Sequence, residues 1–69
     1  MIITFNKSYY NSVAVKNAIE AYRDLAIFNL REDKSNIVVE VSRLLEADLV
    51  DIFEDEFRNF VLSEVKNTL

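Results

Sequence analysis

Apolar and polar residues follow three different rhythms along this chain, and each rhythm predicts a different element. Ile2 to Phe5 is a short β-prone run ended by Asn6-Lys7-Ser8, which predicts a first strand of about four residues. From Asn11 or Ser12, either able to cap a helix, Val15, Ala18, Ile19, Tyr22, Leu25 and Ala26 recur at steps of three and four. That spacing predicts a one-sided amphipathic helix. Its polar side carries Lys16, Glu20, Arg23 and Asp24, close enough along the helix to pair in solvent. Next, Phe28 and Leu30 alternate with Asn29 and Arg31, and after a polar stretch Ile37, Val39 and Val41 alternate with Val38, Glu40 and Ser42. This is the pattern of a hairpin. From about Leu45 a second helix is predicted almost to the end, with Leu49, Phe53, Phe57, Phe60 and Val61 in a wedge of roughly 120°.

The order is therefore β-α-β-β-α. A right-handed crossover through the first helix, with the hairpin strand returning between the outer two, gives an antiparallel three-stranded sheet in order 1-3-2. Both helices then cover one face, an α+β arrangement that is ferredoxin-like and truncated by its last strand. The order 1-2-3 with a parallel pair satisfies the same pattern. In either order the first strand is expected at an unprotected edge. The other sheet face would show Ile27, Asn29, Arg31, Val38, Glu40 and Ser42, mixed in character and suited to a modest contact.

Composition narrows the chemistry. With 69 residues the chain makes a single domain, residues 1–69, near the lower limit at which a hydrophobic core alone supports a fold. Self-association is one way to add buried area, so a homodimer is expected. There is no cysteine and no histidine, which removes disulfides, thiol nucleophiles and the usual nitrogen and sulfur ligands of zinc. No metal and no cofactor are expected. The net charge is −4, with no Lys/Arg run, a surface that repels phosphate backbones and anionic lipid, so neither nucleic acid nor membrane is an expected partner. MIITFNKSYY has no signal-like apolar run, and nothing approaches the roughly 20 apolar residues of a spanning helix. A cytoplasmic location is expected by default. Glycine and proline are absent, so turns fall to Asn, Asp and Ser; Glu32 to Asn36 holds the Asp and Asn that tolerate left-handed backbone.

The stretch DIFEDEFRNF concentrates carboxylates on the second helix. Asp51, Glu54, Asp55 and Arg58 project away from the apolar wedge and read as a solvated face, where Glu54 and Arg58 pair only in passing. A hard cation wants convergent oxygens or a phosphate to share it, and neither is signalled. Glu56 differs, because its direction lies between Leu45 and Leu49 on the apolar side, where a carboxylate must be paired or desolvated. Reaching water or Arg23 of the first helix is its structural role; a polar contact to a partner, or an acid of raised pKa, is its functional one. Leu62 and Val65 make the last turns apolar on more than one side, which predicts a second contact surface. Tyr9 and Tyr10 read as a hydrophobic staple or core-edge packing, since no neighbour is identifiable that would activate a phenol. With no histidine, no cysteine, no glycine loop and no glycine elbow, the chain is not expected to be an enzyme.

The segment FNKSYYN, the run AVKNAIEAYRDLAIFNL, the strand NIVVEVS and above all EFRNFVLSEVK resemble the short His-Xaa-Ser system proteins of the HxsD type, over nearly the whole chain. The resemblance implies an accessory component of a radical-SAM peptide-maturation system that is not itself the catalyst. It singles out Glu56, Phe57 and Asn59. The family pattern tends toward an arginine after this helix, whereas this chain has Lys66, so no basic contact is implied there. The expected function is thus a non-catalytic accessory protein that binds a peptide or protein. Ile3 and Phe5 of the edge strand, with Glu56, Phe57, Asn59 and Leu62, are the candidate partner-binding residues. The alternative is a structural protein that self-associates through its edge strand or open sheet face.

Overall fold

A computed structural model describes residues 1–45, 48 and 50–68. The elements run β1 (Ile2–Asn6), α1 (Ser12–Tyr22), β2 (Ile27–Glu32), β3 (Asn36–Ser42) and α2 (Val50–Asn67). The sheet order is β1-β3-β2 with both pairs antiparallel, the 1-3-2 arrangement that the crossover argument predicts. The odd residues Ile3, Phe5, Ile37, Val39 and Val41 point to one side and are buried, as the period of two requires. Against them pack Ala14, Val15 and Ala18 of α1 and Phe53, Phe57 and Val61 of α2, so both helices cover the same face.

Local chemistry sets most of the boundaries. The Asn11 side chain accepts the Ala14 N–H at 2.8 Å and starts α1. The helix ends at Tyr22, earlier than the apolar spacing through Leu25 and Ala26 implies. Leu25 instead donates its N–H to the Tyr22 carbonyl at 2.9 Å and accepts from Leu45 at 2.7 Å, because the chain must turn there to bring Ile27 opposite Ser42. Ala26 is still buried, by the turn and not by the helix. The second helix also begins later than predicted: Leu45 lies outside it and is exposed, while Leu49 falls outside the described residues. Between β2 and β3 no left-handed residue is used. Asp33 Oδ1 accepts the N–H groups of Ser35 and Asn36 at 2.8 and 2.7 Å and closes the loop in ordinary backbone space. The left-handed conformation, with φ 55°, falls on Arg43 just after β3.

Phe57 occupies the centre of the core, fully buried. Its ring centroid lies 6.1 Å from Phe5, 5.6 Å from Tyr22, 5.6 Å from Phe28 and 5.7 Å from Phe53. One side chain thereby ties β1, α1, β2 and α2 together. In a chain this short, such a hub contributes a large share of the burial that offsets chain entropy.

Candidate functional site

The two outer strands differ in what their free edges offer. Just before β1, Met1 exchanges both backbone hydrogen bonds with Val41 of β3, at 2.8 and 2.9 Å, and just after it Lys7 donates to the Ser35 carbonyl at 2.9 Å. Antiparallel ladders alternate, so Ile3 and Phe5 also direct their backbone groups to β3, and Ile2, Thr4 and Asn6 direct theirs outward. Just after β2, Asp33 donates to the Asn36 carbonyl at 3.0 Å. By the same alternation Ile27, Asn29 and Arg31 face β3, and Phe28, Leu30 and Glu32 face outward.

The expectation of an unprotected first strand is corrected at Thr4 by Arg58. Its Nη1 donates to the outward carbonyl of Thr4 at 3.2 Å, its Nε donates to Glu54 Oε2 at 3.0 Å, and its guanidinium carbon lies 5.2 Å above the Phe5 ring. The carbonyl of Asn6 is taken by the N–H groups of Tyr9 and Tyr10, at 3.1 and 3.0 Å. Arg58 and Glu54 are thus not simply a solvated face. They form a plug over part of the edge hydrogen-bonding row where an added strand would lie: the Thr4 and Asn6 carbonyls are taken, while among the described residues the outward groups of Ile2 and the Thr4 N–H have no partner. The helical wheel placed both residues on the wet side because it contains no information about a neighbouring strand. Among the described residues, nothing accepts from or donates to the outward groups of Phe28, Leu30 and Glu32.

The six candidate partner residues separate into two groups. Ile3, Phe5 and Phe57 are wholly buried in the core, and the backbone of Ile3 and Phe5 is committed to β3. Glu56, Asn59 and Leu62 are exposed on the outer surface of α2, with Leu62 at 44%. Neither the apolar-side placement of Glu56 nor its pairing with Arg23 holds. Glu56 is exposed, and Arg23 instead pairs with Glu20 at 2.9 Å. A structural consequence remains. Burial pushes the Tyr22 phenol above its ordinary pKa, and the charge of Glu56 adds to that rise. The Asp33 carboxyl is held below its ordinary value, chiefly by the Ser35 and Asn36 N–H groups, with Lys7 adding to it.

Of the two tyrosines before α1, Tyr10 packs edge-on against Phe5 at 5.0 Å, whereas Tyr9 is 74% exposed. With Lys7, Ser8, Asn11 and Val65 they line an open depression of about 180 Å³, below the roughly 300–1,000 Å³ usual for ligand pockets. Its cation, Lys7 Nζ, lies 3.3 Å from Glu32. On the sheet's uncovered face Ile27, Asn29, Arg31 and Ser42 are exposed and Val38 and Glu40 half-buried, with Arg31 and Glu40 3.9 Å apart. No helix among the described residues is long and apolar enough to cross a membrane. The strand edge that sequence reasoning missed is β2, and its signal was available in the 1-3-2 order itself, which leaves two outer strands and not one. Comparison with protein-family models, curated proteins and solved structures found nothing that matches this chain.

Proposed function

We propose that this chain is a non-catalytic accessory protein that binds a protein or peptide by accepting an extended segment along β2. The observation that carries the reading is the contrast between the two edges: on β1 the outward carbonyls of Thr4 and Asn6 are taken, by Arg58 and by the Tyr9 and Tyr10 N–H groups, while among the described residues nothing pairs with the outward groups of Phe28, Leu30 and Glu32. Strand addition takes its affinity from such main-chain groups and its selectivity from alternate side chains. The exposed outer surface of α2, with Asp51, Asp55, Glu56, Asn59 and Leu62, is a second contact area and favours a segment bearing positive charge. This reading agrees with the accessory role that the HxsD resemblance implies, and a His-Xaa-Ser repeat segment is then the natural first ligand.

The test is titration of a synthetic His-Xaa-Ser repeat peptide into isotope-labelled protein, followed by backbone amide NMR. The amides of Phe28, Leu30 and Glu32 should shift together while that of Thr4 stays in place. Binding that moves Thr4 and leaves β2 unchanged would overturn the choice of edge. A second reading, self-association as the protein's structural role, is favoured by the incomplete burial of Phe28 and Leu30 at the β2 edge.

A further inference from the structure

We infer that the segment accepted by β2 is β2 of a second copy, paired antiparallel about a twofold axis at Asn29, so that two three-stranded sheets become one continuous sheet of six. The inference rests on the reading of β2 as the acceptor edge and adds its occupant when no other segment is bound, so that a peptide captured at β2 must displace the second copy.

Three observations select a second copy. The first is uneven cover on the helix side. Ile3 and Phe5 of β1 are completely buried, whereas Phe28 and Leu30 at the opposite edge are only half-buried. Something apolar beside them would complete their burial, and a symmetric partner supplies it.

The second is register. Only Phe28, Leu30 and Glu32 face outward, so a β2–β2 pair must match outward residues with outward residues. With Asn29 opposite Asn29 of the second copy, Phe28 meets Leu30 and Leu30 meets Phe28, forming about four backbone hydrogen bonds. On the uncovered face Arg31 lies across from Ile27, and Glu32 comes opposite Ala26. No like charges meet. Sliding the pair so that Arg31 opposes itself places two cations together, which is unfavourable. Centring it on Leu30 sets Phe28 against Glu32 and loses the apolar match.

The third is closure. β2 carries no lysine, no proline and no bulge in its pairing with β3, the usual devices that keep an edge solitary. At the far end of the combined sheet, each β1 carries its own Arg58 plug. Association through β2 therefore stops at two copies instead of growing into a filament.

The geometry provides a direct test. Asn29 sits at a non-hydrogen-bonded position of the proposed pair, where Cα atoms come within about 4.5 Å, inside the span a disulfide bridges. Asn29→Cys should form an intermolecular disulfide under mild oxidation in most of the protein. Arg31→Cys, facing Ile27 of the other copy, and Thr4→Cys, at the plugged edge, should give at most a tenth as much. Sedimentation of the wild-type chain at tens of micromolar should report twice the 8.0 kDa monomer mass. A wild-type chain that stays monomeric at several hundred micromolar overturns the second copy. So does a dimer in which Arg31→Cys or Thr4→Cys crosslinks in place of Asn29→Cys. In either case the peptide titration above still decides separately whether β2 accepts a strand from another molecule.

Discussion

Replacing Arg58 by Ala removes three contacts, one of them to the Thr4 carbonyl on the β1 edge, and the geometry sets the size of the loss. The Nη1 hydrogen bond to the Thr4 carbonyl is worth about 0.5–1.5 kcal/mol net. The Glu54 pair, four residues back on the helix, adds about 0.3–0.5 kcal/mol. Stacking over Phe5 adds about 0.5–1 kcal/mol at a solvent-reaching site. The Arg58 side chain is 35% exposed and that of Glu54 45%, so solvent screening moves the total toward the lower half of this range, about 1.5 kcal/mol. Urea denaturation followed by circular dichroism measures it, and in a domain this small the corresponding fall in Tm is about 6–12 °C. Arg58→Lys retains the charge but not the fork that reaches Thr4 and Glu54 at once, so it should recover less than half of the loss. In a double-mutant cycle, Glu54→Ala should couple to Arg58→Ala but not to a change at Lys16. A loss below about 0.5 kcal/mol for Arg58→Ala would refute the reasoning, because it would make the plug one more exposed ion pair.

Three further outcomes are expected. Phe57→Ala should cost about 3–5 kcal/mol, enough to abolish the cooperative unfolding transition of so small a domain, so any binding loss in that variant reports unfolding and not a lost contact. Arg43→Gly should raise stability by about 0.5–1 kcal/mol in urea titration, since Arg43 holds φ 55° and glycine enters that region without a Cβ clash; a destabilised variant would show that Arg43 has a compensating contact. Raising the folded-state pKa of Tyr22 means that its contribution is fully present below the ordinary value of 10.0 and is lost as pH climbs through the folded value. Glu56→Gln should lower that folded pKa, read from the Tyr22 ring resonances, and an unchanged titration would remove the electrostatic link between them.

Much of the fold was legible because it rests on periodicity. The alternation in Ile37 to Ser42 and the three-and-four spacing of Phe53, Phe57, Phe60 and Val61 each need one continuous face, and the structure gives them one. What the pattern could not supply were contacts between elements distant in sequence. Arg58 reads as solvated on a wheel, yet it finds Thr4 across 54 residues of chain. Glu56 reads as apolar-facing only while the helix is assumed to include Leu45. Turn chemistry was half legible: Asp33 was expected in the loop, but its carboxylate bonds to Ser35 and Asn36 made a left-handed residue unnecessary there. The candidate partner residues rest on the edge strand and on the family resemblance of the second helix, and burial divides them. Ile3, Phe5 and Phe57 hold the core together, while Glu56, Asn59 and Leu62 remain available at the surface.

The central claim is that β2 is the open edge and β1 the closed one, and amide hydrogen exchange at two protein concentrations tests it most directly. In dilute solution the amides of Phe28, Leu30 and Glu32 should exchange rapidly, while those of Asn29 and Arg31, bonded to β3, exchange slowly. On concentration the amides of Phe28 and Leu30 should become protected and that of Thr4 should not change. Slow exchange of Phe28 and Leu30 already in dilute solution, or new protection appearing at Thr4 instead, would contradict the account.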